Sequence, residues 1–119
     1  MSTHFEYSLG SSVGHRANLG LVVLQSDETL EYDLRRMLPT DGVALYTSRV
    51  PSAQDVSNET LAQMEAELPQ AASLLPPETK LASVAYGCTS GTAVIGAKTI
   101  HFLIKGACDC RDVTEPVSA

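Results

Sequence analysis

The chain has 119 residues, 44% of them hydrophobic and 18% charged, a globular composition that excludes a disordered chain and allows one domain with a modest core. A formal net charge of −6 speaks against a general nucleic-acid surface, while a few local dipoles can still hold a small anion. No apolar run approaches the roughly 20 residues that cross a bilayer, and residues 1–20 lack a signal-peptide core.

Residues 1–18 are polar, rich in Ser, Gly and His, and show no sustained period. They read as an N-terminal tail, loose or packed on a neighbour. His4 and His15 lie in it with no chemical constellation around them. Leu19-Gly20-Leu21-Val22-Val23-Leu24 is a continuous apolar run, as expected of a strand covered on both faces in a parallel sheet. Gln25 and Ser26 leave it, and Ser26 or Asp27 can cap a helix in which Leu30, Leu34, Met37 and Leu38 recur at helical spacing. Pro39 and Asp41-Gly42 stop that helix and turn the chain.

Val43-Ala44-Leu45-Tyr46-Thr47 gives a second strand, and Ser48-Arg49-Val50-Pro51 is expected to leave it. Ser57 caps a second helix with Leu61, Met64, Leu68, Ala71 and Leu75 on one side. Pro69 should kink or split it, because it lacks a donor and clashes one turn back. Residues 81–85 form a third strand and residues 92–105 a third helix, with Val94, Ile95, Thr99, Phe102 and Leu103 expected inside. Residues 112–119 read as a strand end or loop entering another helix.

The order β-α-β-α-β-α calls for a three-layer αβα lobe over residues 19–119, with a parallel sheet and a flavodoxin-like strand order. Ligands of such sheets bind beyond the carboxyl ends of the strands. Ser26, Ser48 and Cys88-Thr89-Ser90 each follow an expected strand end, so topology brings them to one edge. A nucleotide binder would suit the sheet order, yet no glycine-rich phosphate loop follows the first strand. Three cysteines is an odd count that fits a reducing cytoplasm better than a disulfide framework. Cys108-x-Cys110 with His101 nearby fits no common zinc spacing, and no metal is expected.

The most informative stretch is Leu81-Ala82-Ser83-Val84-Ala85-Tyr86-Gly87-Cys88-Thr89-Ser90-Gly91-Thr92, which reads as strand, tight turn and helix start. Gly87 and Gly91 let backbone N–H groups approach a ligand closely. Thr89 and Ser90 can cap the helix or donate hydrogen bonds. A helix N-terminus attracts anions and favours a thiolate beside it. Two readings of Cys88 follow: a reactive thiol beside a bound carboxylate, or a buried cysteine in a βα turn. Tyr86 reads as core, with its hydroxyl at the rim.

Tyr86-Gly87-Cys88-Thr89-Ser90-Gly91-Thr92 with Val94-Ile95-Gly96 resembles the first-lobe cysteine motif of the aspartate/glutamate racemase superfamily, in the branch of maleate cis–trans isomerases and arylmalonate decarboxylases. Leu24-Gln25-Ser26-Asp27-Glu28-Thr29-Leu30-Glu31 and Tyr46-Thr47-Ser48-Arg49-Val50 fit the same branch in the same order. The resemblance implies cofactor-independent isomerisation or racemisation of a small carboxylic or dicarboxylic acid, without metal. It implies Cys88 as the thiol that moves a proton or adds to a double bond, and Thr89 and Ser90 as a dioxyanion hole. Ser26 and Ser48 would hold the other end of the substrate, and Arg49 is the nearest cation for a second carboxylate.

Arylmalonate decarboxylases tend to carry glycine at the position of Cys88, so the resemblance leans to an isomerase or racemase rather than a lyase. Maleate isomerases place an asparagine in the first-strand loop, where this chain has Ser26-Asp27-Glu28. Asp27 and Glu28 read as charges complementing a helix N-terminus. Members of the superfamily have two facing lobes with a cysteine motif in each, and this sequence holds one such motif. Residues 19–119 are thus expected to be a first lobe, completed by a second lobe or by another copy, with apolar surface where that partner belongs. A catalytically silent small-acid-binding domain is the alternative.

Overall fold

An apolar run that cannot expose either face has to sit between strands, and residues 19–24 do. The computed structural model describes residues 4–52, 55 and 57–119. Four strands, β1 (Ala17–Leu24), β2 (Val43–Val50), β3 (Leu81–Tyr86) and β4 (Cys110–Thr114), alternate with helices α1 (Leu30–Met37), α2 (Asn58–Ser73), α3 (Thr89–Ile95) and α4 (Ala97–Ala107). All neighbours pair in parallel, in the order β2-β1-β3-β4. Leu21, Val22 and Val23 of β1 are buried, as a central parallel strand requires. The three-layer α/β arrangement expected from the element order is the one observed. No helix among the described residues is long and apolar enough to cross a membrane.

Two strands are longer than their composition indicates. β1 starts at Ala17, inside the expected tail, because the Arg16 and Ala17 amides both donate to the Gly42 carbonyl, at 2.8 and 3.1 Å. β2 runs on to Val50, with Ser48 paired to Val22 and Arg49 to Val23. Residues 1–3 of the tail lie outside the described residues.

The core lies on the α2–α4 face, where Val22, Val50, Val84, Tyr86 and Val113 of the sheet meet Leu61, Met64, Leu68, Ile100 and Ile104. Ser57 caps α2 as expected, in a reciprocal capping box with Thr60. The helix passes through Pro69 as one element and is not split there, because Met64, Leu68, Ala71 and Ala72 pack on both sides of the proline. Truncating a side chain such as Leu68, fully enclosed, costs about 2–5 kcal/mol.

The expected third helix is two helices. Gly96 adopts φ 95°, a left-handed backbone that L side chains rarely take, and it separates α3 from α4. That break resets the helical phase. Ile100 and Ile104 become the buried positions of α4, whereas Val94 and Phe102, expected inside, are 49% and 77% exposed.

Beyond β4 the chain forms one helical turn. The Ala119 amide donates to the Glu115 carbonyl at 3.1 Å, and the buried Glu115 carboxylate accepts from the Val117 and Ser118 amides at 2.8 and 3.0 Å. Pro116 takes the first helical position, where its missing N–H costs nothing. The Ser118 hydrogen bond, outweighing desolvation, holds the Glu115 carboxyl below its ordinary 4.5, with the Val117 amide and His101 adding to the effect. A depressed carboxyl stabilises the fold above its unfolded value and loses that contribution as pH falls through the folded one. Protection of the Val117 and Ser118 amides from hydrogen exchange should therefore drop as pH falls below about 4.5, and E115Q should show the loosened turn at pH 7. Equal protection factors at pH 3 and pH 7 would contradict this cap.

Candidate functional site

The site begins where β3 ends. The Gly87 amide donates to the Val22 carbonyl at 2.8 Å, keeping the chain in the sheet one residue past Tyr86. Cys88 then adopts an extended backbone, φ −143° and ψ 108°, and caps α3 with its own sulfur. Its Sγ accepts the Gly91 N–H at 3.2 Å, in the place usually taken by a serine or asparagine oxygen. The Cys88 carbonyl accepts from the Thr92 amide at 3.0 Å and from Thr92 Oγ1 at 2.7 Å. Ser90 Oγ stands 3.7 Å from the sulfur. The Thr89 and Ser90 amides, in the first turn, have no carbonyl one turn back to donate to. Both side chains are exposed at the carboxyl edge of the sheet.

Gly91 allows this close approach. A Cβ there would lie 2.6 Å from Tyr86 Oη, 3.0 Å from Cys88 Sγ and 3.2 Å from Met64 Cε. Tyr86 is 1% exposed, so its hydroxyl is enclosed beside the sulfur rather than at the rim. Burial, reinforced by the neighbouring Cys88 side chain, pushes the Tyr86 phenol well above its usual range. The hydroxyl therefore stays protonated, with no oxygen or nitrogen partner of its own.

The other expected residues divide. Ser26 is exposed at the same edge, in a turn closed by the Asp27 amide donating to the Leu24 carbonyl at 3.0 Å. Asp27 Oδ1 accepts the Thr29 and Leu30 amides at 2.9 and 2.8 Å, so its charge serves the start of α1. Ser48 lies inside β2 and not beyond its end. It is buried, and its hydroxyl donates to the Ala71 carbonyl of α2 at 2.6 Å. Arg49 is likewise a strand residue. Its Nη1 donates to the Asp27 and Leu24 carbonyls at 2.7 and 3.0 Å, and its Nη2 lies 3.6 Å from Glu31 Oε1. Arg49 thus fastens the β1–α1 loop, and Ser48 fastens α2. The structure brings Cys88, Thr89, Ser90 and Ser26 to one edge and turns Ser48 and Arg49 to structural bonds beneath it.

Sequence reasoning missed Thr92 and the place of the Tyr86 hydroxyl. A hydroxyl four residues after a capping residue was the available signal for Thr92. Nothing in the local sequence marks where a tyrosine hydroxyl ends. Cys108, by contrast, donates to the Ile104 carbonyl at 3.4 Å, and burial with Cys110 alongside pushes its thiol up to about 12. Among the described residues no three His, Cys, Asp or Glu side chains gather as a metal group.

No protein-family model matches the chain, and no curated protein matches it. Among solved structures, its fold is similar to the crystal structure of the maleate isomerase Iso from Pseudomonas putida S16, with a TM-score of 0.59 and 17% identity. The match covers 82% of this chain and 44% of that one, so the chain spans less than half the length of this neighbour.

The crowding at Gly91 is open to test. G91A should lose about 1–3 kcal/mol in urea denaturation, because its methyl group must displace the Tyr86 hydroxyl or the sulfur. S90A, at an exposed position, should stay within about 0.5 kcal/mol of the parent. A G91A protein as stable as the parent would show that the turn is loose.

Proposed function

We propose that the Cys88 turn is one half of a cofactor-independent isomerase or racemase site for a small carboxylic acid. The reading rests on one observation: the Cys88 sulfur accepts a backbone N–H while two first-turn amides and two exposed hydroxyls stand beside it. The maleate isomerase-like fold agrees with it.

Reactions at a carbon next to a carboxylate build negative charge on that carboxylate as an enediolate. Preorganised N–H and O–H donors stabilise this charge most when water is excluded. Thr89 and Ser90 supply such donors, and Ser26 holds the far end of the acid from the β1 loop. Ser48 and Arg49, expected as substrate contacts, serve instead by fixing α2 and that loop. Cys88 supplies the thiolate. With a cis-alkene diacid, the thiolate adds to one alkene carbon and the π electrons move into the adjacent carboxylate. The new single bond rotates, the enediolate collapses and the thiolate leaves, so atoms and electrons balance. With a saturated acid the same sulfur removes or returns the α-proton. The opposite face of the substrate needs a second group, carried by a second lobe or another copy of the chain.

Turnover can be followed by the olefinic proton signals of maleate and fumarate, in a protein that holds both halves of the site. C88S should lower the rate by a factor of about 10²–10⁴ while leaving the fold intact, because serine matches the size of cysteine without its acidity. Isomerisation within tenfold of the parent would remove Cys88 from the chemistry. Retained maleate binding with no turnover in the parent would identify an acid-binding domain instead.

A further inference from the structure

If packing alone mattered, phenylalanine would suit the end of β3 better than the tyrosine found there. Tyr86 is enclosed, and its hydroxyl has no hydrogen-bond partner among the described residues. Burying such a group unpaired costs stability that a plain ring in the same place would not lose. The hydroxyl does not, however, end in plain apolar core. Its oxygen and the Cys88 sulfur lie 2.6 and 3.0 Å from one point, the place of the side chain that Gly91 lacks. The two atoms flank the space of a single missing methyl group.

The sulfur accepts the Gly91 N–H at 3.2 Å, and the Ser90 hydroxyl stands at 3.7 Å. Cys88 is buried, so water supplies little of what a thiolate there needs. Protein donors must hold such an anion, and hydrogen bonds to a charged acceptor are roughly twice as strong as those to a neutral one. The Tyr86 hydroxyl is a donor at hand with no other use. It keeps its proton, because burial and the neighbouring Cys88 side chain hold its ionisation well above the usual range. The pair meets Met64 from α2 and Ser90 from α3, and neither titrates. Glu115, beyond β4, is turned to His101 of α4 and to the Val117 and Ser118 amides. Among the described residues no carboxylate, lysine, arginine or histidine bonds to the sulfur or to the phenol.

We propose that Tyr86 is a positioning residue for the Cys88 sulfur: its hydroxyl donates a hydrogen bond to the thiolate and enlarges the thiolate population near neutral pH. The proposal rests on the reading of Cys88 as the reacting thiol. On ionisation the thiol passes its proton to water at the edge of the sheet, and the phenol gives up none. The bond satisfies both groups at once: the thiolate gains a donor, and the buried hydroxyl gains the acceptor it otherwise lacks.

Y86F in the full chain tests this without turnover. Below the midpoint of the parent's profile, its Cys88 thiolate population, read by ultraviolet absorbance against C88S, should fall about tenfold. Iodoacetamide alkylation, read by peptide mapping, should fall about threefold there, because the more basic sulfur is the better nucleophile. At high pH, with both thiols ionised, the order should reverse. A merely loosened turn would instead speed alkylation at every pH, and Cys108 and Cys110 are the internal controls. Y86F should keep the parent's circular dichroism and melt no lower, since it loses an unpaired hydroxyl. A second reading needs no change in the core: one tyrosine ¹³Cζ signal of the parent should move with the thiolate absorbance, and should not in C88S. A Y86F profile that superimposes on the parent's or is faster throughout, or tyrosine signals indifferent to the thiolate, would overturn this proposal alone. A Cys88 that reacts last in the parent would overturn it together with the reading it rests on.

Discussion

The β3–α3 turn depends on one absent side chain. Without a Cβ at Gly91, its backbone N–H comes within 3.2 Å of the Cys88 sulfur, and the Tyr86 hydroxyl occupies the space a methyl would need. Three consequences follow from that contact. A cysteine becomes the cap of a helix, so its buried sulfur, at the margin of the core, accepts an amide N–H. Thr92 is drawn in to bond the Cys88 carbonyl, which closes the turn from behind. Thr89 and Ser90 are left at the surface, at the edge where a parallel sheet presents its ligands.

The sheet holds this turn in place through its centre. β1 pairs with β2 on one side and β3 on the other, so the loops leaving β1 and β3 are adjacent by necessity. Two polar side chains of β2 then fix what lies on either face. Ser48 bonds the α2 backbone from a buried position, where an unmade hydrogen bond would cost about 1–3 kcal/mol. Arg49 gathers carbonyls of the β1–α1 loop from a more exposed one, where each bond contributes less. The result is a rigid floor with a polar, donor-rich edge.

Much of this was legible in the sequence because a parallel strand buried on both faces must be continuously apolar, and residues 19–24 are. The cap at Ser57 and the charge at Asp27 were legible for a local reason: their partners lie within three residues. What escaped was decided at a distance. Ser48 and Arg49 have the composition of a loop, and only bonds to residues more than 20 positions away keep them in a strand and turn their side chains from a ligand. Gly96 falls inside the helix expected over residues 92–105, and its positive φ moves the buried face of α4 from Phe102 to Ile100 and Ile104. The Cys88 motif was legible as a turn. That its sulfur would share a pocket with the Tyr86 hydroxyl was not, because this depends on where α3 lies against the sheet.

The most direct measurement of the central claim is limited alkylation with iodoacetamide at neutral pH, followed by peptide mapping of the three cysteines. Cys88, whose sulfur receives an N–H at the start of a helix, should react ahead of Cys110 and of Cys108, whose thiol is held protonated. A small dicarboxylate such as maleate should slow Cys88 alone by occupying the neighbouring amides. If Cys88 reacts last and maleate changes nothing, the cysteine is a structural cap and the turn has no anion site.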